Sequence, residues 1–446
     1  MLSTPTSRWR LFGAISATSL LVAACASDSD SDAGADSAAS VPGVTASAGS
    51  SPLAPSTTSS PAEASAGSSP SVASSSPEAS EVAAAQPRVV LTYDGGVLVL
   101  DGTTLEVIGD HPRDGFLRVN PAGDGRHVMV TTDEGFQVLD TGVWTDGGTS
   151  FAGPSELTDD VVEADAAGHV VVHAGRTVLF ADGTGDITSF ATADLLAGEG
   201  LPETRTWKSA TAHHGVAIEL SDGSLLATIG DEESRRGVRV LDASGEEVAR
   251  SEECPGVHGE GTAAGEIAVF GCEDGVLLYD GEFTKLAAPD EFGRTGNIFT
   301  TETSPVALGD YNADPDAESY LLSAVTLIDT ATEQLQVVQL DPGVGYTFRG
   351  LARGPQDEAV VLGSDGSLHL IDEETGAALA SSPVVAPWAG PAEWQDPHPA
   401  VRVNDGVAYV TEPAANAVHA VDLDTGDVIA TAELDVTPNE IAVVTG

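Results

Sequence analysis

The sequence predicts an all-β protein assembled from repeats of one short antiparallel unit, and three observations carry that prediction. First, an apolar strand closed by an aspartate recurs eight times: V-L-V-L-Asp101, F-Q-V-L-Asp140, V-L-F-A-Asp182, V-R-V-L-Asp242, V-L-L-Y-Asp280, V-T-L-I-Asp329, L-H-L-I-Asp372 and V-H-A-V-Asp422. Second, the copies lie 39, 42, 60, 38, 49, 43 and 50 residues apart, room for four strands and their turns. Third, nothing helical separates them, and turn residues follow most copies. Together these predict a single β-propeller of eight blades, or seven if one irregular unit is an insertion.

Within a blade of four strands the repeated segment reads as the third. Counting backwards then places the start of each first strand, which in a propeller lines the central channel. In the third unit that strand opens at Asp159 and Asp160, in the fourth at His213 and His214, and in the fifth at His258. No first strand precedes Arg88, while the chain ends in an apolar strand, Asn439-Glu-Ile-Ala-Val-Val, with no unit after it. The C-terminal strand is therefore expected to pair in the first blade and close the ring, which removes an open edge.

The remaining segments read differently. Residues 1–24 combine Arg8 and Arg10 with an apolar run too short to span a bilayer, as in an export signal. The following Leu-Val-Ala-Ala-Cys25 resembles a bacterial lipobox, which implies cleavage and acylation at Cys25. Residues 26–87 have no aromatic residue, Lys or Arg and are dominated by Ser, Ala, Pro and Gly, so 25–87 is expected to be a lipidated, flexible tether. The folded part is expected over 88–446, held at the outer face of the cytoplasmic membrane and monomeric.

Sixty-nine acidic residues against 18 basic ones give a net charge of −51. Such a surface repels nucleic acid and anionic lipid and attracts cations. Apart from Cys25 there are two cysteines, Cys254 and Cys272, 18 residues apart. In an exported chain they are expected to form a disulfide, with a pair of thiolate metal ligands as the alternative.

There is no nucleophile elbow, H-E-x-x-H, P-loop or dinucleotide fingerprint, so no enzymatic activity is expected. A quinoprotein-like or lactonase-like propeller enzyme would need a convergent cofactor shell that the channel positions do not supply. The turn from Asp310 to Asp316 begins like a calcium loop but has Pro315 at the sixth position and Leu321 at the twelfth, so it reads as an acidic turn. The histidines carry more. His213, His214 and His258 fall at one rim of the predicted channel, with Glu260 and Asp160 beside them, and His111 and His398 reach the same rim. Imidazoles with carboxylates form a shell suited to Zn²⁺. His127, His169, His173, His369 and His419 fall on second or third strands and read as packing or surface residues.

The stretches Ala212-His-His-Gly-Val-Ala, Cys254-Pro-Gly-Val-His-Gly-Glu260, Phe270-Gly-Cys-Glu-Asp-Gly, Trp394-Gln-Asp-Pro and Asp435-Val-Thr-Pro-Asn-Glu resemble the AztD-type zinc metallochaperones. The resemblance covers most of 88–446. It implies an exported propeller that binds Zn²⁺ and delivers it to the substrate-binding protein of a zinc ABC importer, with rim histidines at His213, His214 and His258. Two departures stand out: the stretch 141–157 has no His where the family has a His- and Asp-rich loop, and a family His corresponds to Asp160. The competing reading is a non-enzymatic envelope lipoprotein that binds a protein partner without zinc.

Overall fold

A computed structural model of the protein describes residues 79–446, apart from Gly198, Glu199, Glu232 and Glu318. The export segment, Cys25 and most of the expected tether lie outside the described residues. Within them the chain is all-β, with successive four-stranded antiparallel sheets, one of which carries an extra short strand, and a small three-stranded sheet. Numbered in chain order, sheet one contains Ile441–Thr445, Pro87–Tyr93, Gly96–Asp101 and Val107–Pro112. Sheet two runs Arg118–Pro121, His127–Thr131, Gly135–Asp140 and Glu156–Glu163. Sheet three runs Ala167–His173, Arg176–Ala181, Asp186–Ala191 and Thr204–Lys208. Sheet four runs Ala217–Glu219, Leu225–Gly230, Arg235–Leu241 and Glu247–Ser251. Sheet five runs His258–Ala263, Ile267–Cys272, Asp274–Tyr279 and Phe283–Ala287. Sheets six, seven and eight repeat the plan over 298–339, 351–383 and 401–433.

Packing between the sheets explains the shape of the sequence signal. Apolar cores fill the gaps between successive sheets: Val90, Val99, Val128 and Leu139 join sheets one and two, and Ile218, Val240, Phe270 and Leu277 join four and five. Val89, Leu100, Tyr409 and Val418 join sheet eight to sheet one. A central strand is thus covered on both faces and reads as an unbroken apolar run, as in Gly96–Asp101, where all but the final Asp101 are buried. Fourth strands lie outside and alternate, as in Val428–Glu433.

The recurring aspartates, Asp182 apart, are turn caps. Asp101 Oδ1 accepts the Thr103 and Thr104 amides at 3.0 and 2.9 Å, and Asp329, Asp372 and Asp422 do the same for the residues two or three ahead. A carboxylate folded back onto its own turn spares these amides from going unpaired. The Thr375 hydroxyl and then its amide hold the Asp372 carboxyl below the usual range, and the Thr425 amide and hydroxyl do the same for Asp422.

Sheet three corrects the strand count. Its repeated segment, ending at Asp182, forms the second strand and not the third. The hairpin Val143–Asp146 and Thr149–Ala152 is inserted after the third strand of sheet two, and its length hides the change of phase behind an ordinary 42-residue interval. The lost strand reappears in the long 60-residue step to Asp242. Asp159 and Asp160 therefore do not open the first strand of sheet three; they lie on Glu156–Glu163, the outer strand of sheet two.

Ordered backbone also begins earlier than position 88. Ser80–Val82 pairs with Thr149–Ala152, Ser80 opposite Ala152, so the last residues of the expected tether are part of the small sheet.

Cys254 and Cys272 are bonded, with Cα atoms 4.9 Å apart and no exposed surface. The link ties the segment before sheet five to the end of its second strand, beside the His258–Gly271 pair. Closing an 18-residue interval removes chain entropy worth about 3 kcal/mol. Reducing agent, or Cys254→Ala with Cys272→Ala, is expected to lower the urea midpoint of the full chain by the equivalent of that amount, and the reductant should leave the double variant unaffected.

Candidate metal centre

Three imidazoles from three consecutive sheets meet at one point. His169 lies on the first strand of sheet three, His214 on the segment leading into the first strand of sheet four, and His258 at the start of sheet five. Their Nε2 atoms face one another: His214 to His258 at 2.9 Å and His214 to His169 at 3.4 Å. One ligand atom from each of the three lies within 4.8 Å of the others.

Each ring is held from behind. His169 Nδ1 donates to Glu260 Oε1 at 3.1 Å, His214 Nδ1 to Asp182 Oδ2 at 2.5 Å, and His258 Nδ1 to the Gly296 carbonyl at 2.5 Å. Carboxylate and carbonyl oxygens only accept, so each Nδ1 carries the proton and each Nε2 turns a lone pair inward. Three lone pairs facing one another repel unless a cation lies between them. Tetrahedral Zn–N bonds near 2.05 Å separate two nitrogen ligands by about 3.3 Å, comparable to the spacing here. Histidine anchored through its second nitrogen is the usual arrangement around a bound metal.

The backbone builds this geometry at particular places. A β-bulge separates His258 from Glu260, so the two side chains serve different partners instead of projecting in parallel. Gly259, at φ +68°, sits in that bulge, and a Cβ there would lie 2.6 Å from the Gly296 oxygen that receives the His258 proton. Asp310 fixes the same loop: it accepts the Gly296 amide at 2.5 Å, the Asn297 amide at 3.1 Å and Asn297 Nδ2 at 2.7 Å. Burial pushes the Asp310 carboxyl up against these bonds. Burial likewise holds the His258 imidazole well below 6.5, with His169 and His214 pushing the same way. A neutral imidazole is the form that ligates.

The cluster separates two cavities of opposite character. His214 lines one of about 510 Å³ that also carries Asp231, Glu233 and Glu273 against a single Arg235. His169 and Glu260 line the other, about 160 Å³, whose remaining wall includes Arg118 and Arg402.

Of the residues singled out by sequence, His214 and His258 are in the cluster, and Glu260 supports it through His169. His213 is not: it is buried, with Nδ1 on the Thr211 carbonyl at 2.9 Å and Nε2 on Thr228 Oγ1 at 3.0 Å, so both nitrogens are engaged. Asp160, on the outer strand of sheet two, takes no part. His111 lies on the fourth strand of sheet one against Ser155, and His398 is buried ahead of sheet eight on the Asp396 carbonyl. The turn candidate Asp310 points inward, as described.

The residue that sequence reasoning missed is His169, together with its neighbour His173, which contacts Glu266 at 2.8 Å. Both read as second- or third-strand residues from the spacing, which puts sheet three out of phase. The available signal was the 60-residue interval, which required an extra strand somewhere before Asp242. Asp182, the repeat aspartate displaced to a second strand, holds a histidine of the cluster, His214.

Fold and site together define an all-β, propeller-like protein that presents a trihistidine cluster of metal-ligating geometry. No protein-family model matches the chain. The zinc chaperone AztD of Citrobacter koseri is 27% identical over 284 residues, covering 60% of this chain and 62% of that protein, so the match spans less than two thirds of the relative's length. Two solved structures, of apo AztD and of AztD from Citrobacter koseri, superpose with a TM-score of 0.70 at 20% identity. They cover 81% of this chain and 98% and 99% of their own. The resemblance to AztD-type zinc chaperones is thereby shown, in sequence over part of the chain and in fold over most of it.

Proposed function

We propose that this protein is an extracytoplasmic zinc chaperone that carries Zn²⁺ on His169, His214 and His258 and releases it to the substrate-binding protein of a zinc ABC importer. The observation that carries the reading is the convergence of three Nε2 lone pairs, each fixed by an acceptor on Nδ1. Three protein ligands leave the fourth tetrahedral position for water or for a ligand from the partner.

The surroundings support a cargo role. The acidic cavity of Asp231, Glu233 and Glu273 draws a cation toward His214, whose side chain is 42% exposed. His214 is thus the first ligand a partner reaches and the first to be displaced, while the half-buried His169 and His258 hold the ion longer. The eight sheets are read as blades of one ring, closed where Ile441–Thr445 pairs with Pro87–Tyr93; the core between sheets eight and one supports that closure. We read the export-like segment and Cys25 as a lipid anchor on the outer face of the cytoplasmic membrane, a compartment that a Cys254–Cys272 disulfide suits. We assign no catalytic step to the site.

Calorimetric titration of the metal-free full chain at pH 7 is expected to show one Zn²⁺ bound per chain. The importer's substrate-binding protein should then take up the ion from the loaded chain. Absence of zinc binding would end the proposal. Recovery of an envelope partner to the same extent with and without chelator would favour the zinc-independent interaction module.

A further inference from the structure

The second cavity beside the cluster has a charge that solubility does not explain. In a chain of 69 acidic and 18 basic residues, arginines typically meet carboxylates: Arg88 is 3.0 Å from Asp101, Arg126 is 2.5 Å from Asp140, and Arg353 pairs with Glu373. Around Glu440 the balance reverses. Arg349 lies 2.9 Å and Arg118 3.5 Å from the same Glu440 oxygen, and Arg402 is close enough that Glu440 and Arg118 both act on it. Three guanidinium groups share one carboxylate.

Arg349 is engaged through both terminal nitrogens, while its buried Nε has no partner among the described residues. It is 1% exposed and also donates to Asn439 Oδ1 at 2.5 Å and the Trp394 carbonyl at 3.3 Å. Arg118 and Arg402 are not. A third of the Arg118 side chain is open and its Nε makes no hydrogen bond among the described residues. Arg402 donates only to the adjacent Val401 carbonyl, at 2.8 Å, and forms no ion pair among the described residues. Both line the 160 Å³ cavity, with Asn120 and Phe348 on its walls and the Glu260 carboxylate, held by His169, on the side of the metal cluster. Like charges gathered away from bulk water destabilise one another, and a counter-ion offsets that repulsion. Burial and the neighbouring guanidiniums push both Arg349 and Arg402 below their ordinary pKa, in keeping with that repulsion.

We propose that this cavity binds a small oxyanion, of the phosphate or carboxylate kind, between the guanidinium groups of Arg118 and Arg402. The planar fork of arginine matches either ion with paired hydrogen bonds. A volume of about 160 Å³ has room for a small ion between the two arginines. The site takes the opposite charge from the metal cluster, with which it shares His169 and Glu260 as one wall, and its arginines take no part in holding the metal.

The test uses the metal-free full chain, held in chelator, at low ionic strength. Inorganic phosphate is followed by ³¹P line broadening and calorimetry, and acetate is titrated in a parallel arm. One saturable equivalent is expected. Because a hydrogen bond to a charged group is lost, Arg118→Gln and Arg402→Gln should each weaken it more than about tenfold without altering the far-ultraviolet circular dichroism. Arg402→Lys, which keeps the charge but not the fork, should weaken it less and serves if Arg402→Gln does not fold. Phosphate binding alone assigns a tetrahedral oxyanion, and acetate binding alone a carboxylate. Saturation by neither ion in the native chain overturns the proposal, as does binding that survives both Gln substitutions.

Discussion

Replacing His169 with alanine is expected to abolish stoichiometric zinc binding, whereas replacing His213 leaves it intact. The two histidines exchange the roles that spacing suggests. His169 contributes an inward Nε2 and is one of three ligands, so its loss removes a first-sphere bond. Loss of an outer partner of a metal ligand costs 10–100-fold in affinity, and loss of a ligand is expected to exceed about 100-fold. His214→Ala and His258→Ala should behave as His169→Ala does. His213→Ala instead breaks one buried and one part-buried hydrogen bond and an edge contact with Phe180, so it should lower the unfolding midpoint. Calorimetry and urea unfolding on the same four variants separate the outcomes. Zinc binding lost with His213 but kept without His169 would refute the assignment of the cluster.

The second large effect is on stability in acid. His398 is 3% exposed, donates Nδ1 to the Asp396 carbonyl, and has Nε2 without a partner among the described residues. Burial, and then the charge of Arg349, bring its pKa down from 6.5 to about 4, while Glu440 and Asp396 oppose the shift. The folded value lies below the unfolded one, so the unfolded chain binds the proton first. The contribution of a neutral His398 is complete above pH 6.5 and is lost as pH falls from 6.5 to about 4. Over that window the native chain should lose about 3 kcal/mol more than His398→Gln, at 1.36 kcal/mol per pKa unit. Urea midpoints at pH 7, 5.5 and 4 measure the difference. His111, His213 and His258 are also depressed and act in the same direction, but they cancel between the two proteins. Parallel pH profiles would show that His398 titrates normally.

The legible part of this protein is what burial writes into a strand. Third strands such as Gly96–Asp101 are covered on both faces, so their apolar runs and capping aspartates survive in the sequence as a repeat. The repeat also located His214 and His258, because sheets four and five follow the plan without insertion. It failed at sheet three. A strand's residues show that it is buried but not its rank in the sheet, and the inserted hairpin at 143–152 matched in length the strands it displaced.

By itself, then, the sequence determined the all-β class, the repeating unit and the acidic character, since each depends on local composition and period. Which side chains converge was decided only by tertiary structure. His169 and Glu260 are 91 residues apart, and Arg118 and Glu440 far further, yet each pair meets where the first strands of separate sheets approach one another. Contacts of that kind depend on strand order and on a single β-bulge, and neither leaves a periodic trace. The same limit applies to His213 and His214: they are adjacent in the chain, but only the packing of sheet four turns one into the core and the other toward the metal-ligating cluster.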